Sequence, residues 1–173
     1  EGYAFLLPEK AKAVEIPEFI IEQVATSTTK KLQKKNPEYA TALTLFATTT
    51  KTATSSEFIK TKRKLSVSNV DGTLSAVWEG DLDSVPHYFC VNESCKREIT
   101  LDTKSRVTAF DFFPGRDDLL IVALANGIYA IEIDDRSSQN MQIISEASQP
   151  DFRIKDDEVI ILEKSGRLFK VSL

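Results

Sequence analysis

From Leu65 to its end, the chain reads as strand after strand, and its first hairpin sets apolar against polar residues with a period of two. Leu65-Ser66-Val67-Ser68 alternates, Val70-Asp71-Gly72-Thr73 turns the chain, and Leu74, Ala76 and Trp78 resume on one face. That is the pattern of a hairpin buried on one side. The most informative stretch is 107–133, VTAFDFFPGRDDLLIVALANGIYAIEI. Pro-Gly-Arg-Asp-Asp and Ala-Asn-Gly join its three apolar runs, which predicts a three-stranded antiparallel meander. Further strands are predicted at 88–91, 97–101, 141–145, 151–154, 159–162 and 168–173. A strand and its turn recur about every ten residues, the rhythm of an all-β fold.

Taken in fours, these strands repeat about every 40 residues, the period of a β-propeller blade. Blade one is predicted at 65–101 and blade two at 107–145. Blade three, 151–173, has three strands. Residues 3–7 or 13–16 are candidates for its outer strand, since many propellers close with a strand from the other terminus. The expected fold is therefore mostly β: antiparallel meander blades of a partial β-propeller, with a short helical N-terminal segment. Residues 1–59 form the mixed N-terminal segment and 60–173 the propeller-like domain. Three blades cannot close a ring, because propellers typically have four or more. The remainder of its own propeller, or another protein chain, is the expected partner. The structural alternative is a compact, twisted β-sheet fold that is not a propeller.

The first third carries a different period. Pro17-Glu18 opens a stretch with Ile20, Ile21 and Val24 on one helical face, and Lys30, Lys31, Lys34 and Lys35 follow toward its end. Acids first and bases last complement a helix dipole, so one helix, or two short ones broken at 26–29, is expected. Residues 37–50 fit either state. Leu43, Leu45 and neighbouring threonines favour a strand, whereas Asn36-Pro37-Glu38 is a helix start. Residues 48–56 (TTTKTATSS) suggest a surface excursion.

Composition narrows the functions more than it names one. The 42% hydrophobic and 28% charged residues are those of a globular protein. A net charge of −4 gives no electrostatic reason to expect nucleic acid. No apolar run approaches the roughly 18–20 residues that span a bilayer. The first residue is Glu1, which reads as a processed product or a piece of a longer chain, with any leader or membrane anchor outside it. The two cysteines, Cys90 and Cys95, sit in HYFCVNESCKREI. With the one histidine they cannot complete a zinc site. Their spacing suits a disulfide across a hairpin loop in an extracytoplasmic compartment; the alternative is a pair of reduced cytosolic thiols. Asn92-Glu93-Ser94 matches a glycosylation sequon.

No nucleophile with its base is present, and no Gly-x-Ser-x-Gly, His-Glu-x-x-His or P-loop pattern appears. No catalytic residue, cofactor or metal site is expected. His87 reads as a packed or solvated strand residue, and Trp78 as a core residue whose indole N–H needs a partner. The acidic turns form the one constellation worth following. Alternate turns of a meander emerge at one end, which would gather Asp71, Glu93, Asp117, Asp118, Asp134, Asp135, Asp156 and Asp157 on one rim with Arg116 and Arg136. Such a rim suits a basic partner or oxygen ligands for calcium. The plainer account is that Asp caps local backbone N–H groups in turns, and no Asp-x-Asp-x-Asp-Gly loop is present. Lys60-Thr61-Lys62-Arg63-Lys64 is the basic cluster, read as a targeting signal, a phosphate contact or, most simply, edge protection for a strand.

Phe112-Phe113-Pro114-Gly115-Arg116-Asp117-Asp118, followed by Asn126-Gly127-Ile128-Tyr129-Ala130-Ile131, resembles blades of TolB-type and WD-repeat propellers. More narrowly, about 60–173 resembles the C-terminal propeller region of bacterial PEGA-domain proteins. The resemblance rests on Asp71-Gly72-Thr73 with Trp78, on Val85-Pro86-His87-Tyr88-Phe89-Cys90, on the 111–118 turn and on Asp151-Phe152-Arg153. It implies an envelope protein, anchored through a segment absent from this chain, whose propeller serves binding or assembly. It carries over no catalytic residues. The alternative function is the propeller portion of a hydrolase whose catalytic residues lie elsewhere.

Overall fold

Strands dominate the computed structural model, which describes residues 13–16, 36–47, 57–136, 138–155 and 158–172. The elements are β1 (Val14–Ile16), α1 (Pro37–Ala47), β2 (Glu57–Lys62), β3 (Leu65–Val70), β4 (Thr73–Trp78), β5 (Cys90–Val91) and β6 (Ser94–Cys95). They continue with β7 (Glu98–Leu101), β8 (Ala109–Phe112), β9 (Leu119–Leu124), β10 (Gly127–Glu132) and β11 (Met141–Glu146). The last are β12 (Asp151–Lys155), β13 (Glu158–Leu162) and β14 (Leu168–Ser172). Three antiparallel sheets have four strands each, in the orders β2-β3-β4-β7, β8-β9-β10-β11 and β12-β13-β14-β1; β5 and β6 form a hairpin of their own. None of these sheets is closed on itself.

The three sheets stack face to face. Leu65, Val67, Leu74, Ala76, Ile99 and Leu101 of sheet one meet Phe110, Leu120, Val122, Leu124 and Ile131 of sheet two. The other face of sheet two, with Ile121, Ala123, Ile128 and Ala130, meets Phe152, Val159, Ile161 and Val171 of sheet three. A strand between two apolar layers needs no alternation, and β9 is buried along its whole length.

Helix α1 covers the outward face of sheet three. Tyr39, Ala42, Leu43, Leu45 and Phe46 pack on Ile16, Ile160 and Leu168. The sequence left 37–50 open between helix and strand, and the helix start prevails. Asn36 Oδ1 accepts the Glu38 N–H at 3.0 Å, Pro37 occupies the first turn, and Tyr39 Oη reaches the Gly166 carbonyl at 2.9 Å. The expected helix in 17–35, the alternative closing strand at 3–7 and the excursion at 48–56 lie outside the described residues.

The outer strand of sheet three comes from residues 13–16, as β1 pairs antiparallel with β14 from Val14↔Lys170 to Ile16↔Leu168. Sheet one differs from expectation in two places. Its first strand, β2, begins at Glu57 and not among the predicted strands, and 88–91 contributes nothing to it. Lys60 and Lys62 conceal β2 in the sequence because both occupy its inward face, where apolar residues are expected. Lys60 meets Asp111, and Lys62 donates to the Phe113 carbonyl at 3.3 Å. Tyr88 and Phe89 form a 3-10 turn with His87, and Phe89 is fully buried between sheets one and two.

Candidate functional site

The connections β2–β3, β4–β7, β8–β9 and β10–β11 meet at one end of the stack, and most of the charged turn residues gather there. The β8–β9 connection is a tight turn. Pro114 presets φ, Gly115 takes φ +71° and the Arg116 N–H donates to the Phe113 carbonyl at 3.1 Å, as a type II turn requires. The turn places Arg116 to clasp Asp118 with two hydrogen bonds of 2.7 and 2.6 Å. Asp118 in turn accepts the Ile133 N–H on its backbone carbonyl at 2.8 Å, fixing the start of the β10–β11 connection. There Arg136 grips Asp134, with a closest approach of 2.6 Å.

Two further bases come from the connections between strands of sheet one. Arg63, in the β2–β3 turn, reaches Asp117 at 2.9 Å. Lys96, just after β6, stands 2.8 Å from Asp135 in an ion contact whose geometry falls short of a hydrogen bond. The backbone carbonyl of Tyr88 accepts the Asp135 N–H at 2.9 Å, so the 79–97 connection straddles the seam between sheets one and two.

Electrostatics follow these pairings. Hydrogen bonds from Arg116 hold the Asp118 carboxyl below the usual carboxylate range, outweighing its partial burial. Burial pushes Asp134 up, but its hydrogen bonds from Arg136 prevail and the net shift is downward. Burial, reinforced by Asp117 and Asp118, drives the Tyr88 phenol far above its ordinary value, so it remains a neutral phenol. His87 is exposed and edges against the Tyr88 ring, with centroids 5.8 Å apart.

The cysteines form the disulfide Cys90–Cys95, which closes the β5–β6 hairpin. Asn92 and Glu93 take φ of 47° and 66°, the two left-handed positions of a two-residue hairpin turn. Glu93 therefore sits exposed at the hairpin tip, beside the rim and without a charge partner among the described residues.

Arg116, Asp117, Asp118, Asp134, Asp135 and Arg136 are thus brought to one end. Asp71 is not. It sits with Gly72 in the β3–β4 turn, at the opposite end, where the Gly72 carbonyl accepts the Val107 N–H at 3.0 Å. The cause is β2: an extra strand at the front of sheet one inverts which of its turns emerge at the rim. Asp156 and Asp157 lie outside the described residues. The sequence reading also missed Arg63, Lys96 and Tyr88. The signal for Arg63 was present in the basic run at 60–64, whose charges answer the acids of the 111–118 segment.

Each of the four rim aspartates faces a base, so the rim is a charge-matched lattice and not an open acidic surface. No group of three or more His, Cys, Asp or Glu side chains that would hold a metal ion occurs among the described residues. Trp78 is half-buried and its indole N–H donates to the Asp81 carbonyl at 3.1 Å.

No family model matches the chain, and no curated protein matches it. A search of solved structures finds a computationally designed protein, Ika8, at a TM-score of 0.43 and 18% identity. The match covers 66% of this chain and 32% of Ika8, so the chain spans about a third of that protein's length. A likeness this slight bears on neither fold nor function.

Proposed function

We propose that the chain is a non-catalytic protein-interaction or assembly module, part of a β-propeller on a bacterial envelope protein of the PEGA-domain kind. The observation that carries this reading is the pairing of β1 with β14. Sheet three takes its outer strand from the far end of the chain, the device by which propellers lock their last blade. The two other sheets are consecutive four-stranded meanders stacked face to face, the arrangement of neighbouring blades. The disulfide favours an oxidising, extracytoplasmic compartment. The rim supports a structural role, because its charges are spent on one another and join the sheets.

The test is fractionation of cells making the natural protein, with hydrolysis assays on the purified product. The reading expects recovery in the envelope fraction and no turnover of ester, glycoside or peptide substrates. Recovery in the cytosol, or turnover abolished by His87→Ala, overturns it.

A further inference from the structure

Asp135, in the β10–β11 connection, is gripped from both sides of the β5–β6 hairpin. Its N–H donates to the Tyr88 carbonyl at 2.9 Å, two residues before Cys90. Its carboxylate faces the Lys96 ammonium at 2.8 Å, one residue after Cys95. Asp135 Oδ2 is buried and accepts no hydrogen bond from the described residues, so this ammonium is what compensates its charge. The Cys90–Cys95 bridge ties the two jaws together across the seam between sheets one and two.

The jaws are anchored unequally. Phe89 is fully buried in the core shared by sheets one and two, which fixes the neighbouring Tyr88 whatever the cysteines do. Lys96 depends on less. Its side chain is 62% exposed, and it stands between the bridged Cys95 and Arg97, whose carbonyl accepts the Trp78 N–H at 2.8 Å. Strands β5 and β6 have two residues each, too few to pair stably in water without the bridge. Breaking the bridge therefore loosens the Lys96 jaw first. A buried carboxylate oxygen is then left without its cation, which is unfavourable.

The sulfurs are set for exchange in one order. Cys95 is exposed and Cys90 half-buried. Cys90 Sγ lies 3.6 Å from the Pro86 carbonyl oxygen, an acceptor that only the reduced S–H can use. We propose that Cys90–Cys95 is a redox-sensitive latch: the bridge holds Lys96 against Asp135, and an external thiol such as glutathione opens it. A thiolate attacks Cys95 Sγ; the Cys90–Cys95 bond breaks, and its electron pair leaves on Cys90, which takes a proton from water. A second thiol then displaces the first from Cys95. Two thiols are thus oxidised to one disulfide as the protein's own is reduced. The coupling is reciprocal, so the Lys96–Asp135 contact stabilises the disulfide by the factor with which the disulfide stabilises the contact.

The test is the equilibrium of the 173-residue chain with glutathione buffers. Asp135→Asn and Lys96→Met each remove the coupling and should ease reduction by roughly two- to five-fold in the equilibrium constant. The double variant should go no further than either single one. Arg63→Met removes another ion pair across the same seam, with Asp117, and should leave the constant unchanged. Glutathione trapped midway should sit on Cys95, as located by fragmentation mass spectrometry. An unchanged constant in both single variants overturns the latch, as does an equal shift in Arg63→Met or an adduct on Cys90. Lys96 is exposed, so folding of its variant is not in question. The equilibrium is read on purified protein and stands or falls apart from the envelope reading.

Discussion

Asn69 is a buried polar residue whose side chain joins segments distant in sequence. Its Oδ1 accepts the Gly72 N–H at 2.9 Å and its Nδ2 donates to the Val107 carbonyl at 3.1 Å, so the β3–β4 turn is bound to the start of sheet two. Asn69→Leu removes both bonds, and each buried group left unpaired costs about 1–3 kcal/mol. Urea titration should show that loss; an unchanged midpoint would mean that water replaces the side chain. Gly72 is equally constrained, with φ +89° and space for a Cβ already taken by Arg106. Glu93 illustrates the opposite case. It holds φ 66° at a position where glycine is the preferred residue, so Glu93→Gly should raise stability by up to about 1 kcal/mol. A drop in the urea midpoint for that variant would show that the side chain does more than tolerate the turn. The Asp71-Gly72 turn is readable from two adjacent residues. The role of Asn69 is not, because its carbonyl partner lies 38 positions away.

At the scale of elements, the β5–β6 hairpin and β1 are the pieces least able to stand alone. A two-stranded hairpin of this length is marginal in water, and here the disulfide supplies what the ladder lacks. Closing so short a loop is worth about 2 kcal/mol by chain entropy. Reduction, or Cys90→Ala with Cys95→Ala, should therefore speed amide exchange across 90–97 while Phe89 and the core strands stay protected. Exchange rising equally through β9 would show that the hairpin holds the whole stack. For β1, Ile16 is 3% exposed between β14 and α1. Ile16→Ala should cost about 2–5 kcal/mol and loosen α1. A cost below that range in denaturant titration would indicate that β1 contributes little to sheet three. The hairpin could be read from the spacing of the cysteines. Strand β2 could not, because its inward lysines obey a partner on another sheet and not the period of their own strand.

Across the whole molecule, ion pairs tie the rim and the far turns, and this gives stability a defined pH dependence. Asp118, Asp134 and Glu163 are all held below the ordinary carboxylate range: Asp118 by Arg116, Asp134 by Arg136 against burial, and Glu163 against burial by Arg167, Ser165 and the Ser148 N–H. A depressed folded-state pKa means that the unfolded chain takes up protons first as pH falls. Their contribution is therefore complete above the unfolded carboxylate range, near pH ~4–4.5, and is lost as pH drops through the lower folded values. The melting temperature should hold from pH 7 to about 5 and fall progressively below that. A melting temperature unchanged down to pH 3 would rule out these pairs as contributors. Glu163→Gln should leave less to lose in acid, since the variant no longer titrates there.

The sequence by itself determined what depends on neighbours along the chain. Alternation marked β3 and β4, apolar runs between turn signals marked most of the later strands, Asp-Gly and Pro-Gly marked their turns, and the cysteine spacing suited a hairpin bridge. Each of these signals is complete within about ten residues. Only the tertiary structure decided which strand opens sheet one, and so which turns share a rim and which base faces each aspartate. It also decided that β1 completes sheet three across the length of the chain and that α1 finishes one end of the stack. Those outcomes depend on contacts between residues far apart in sequence, where no local pattern records the partner.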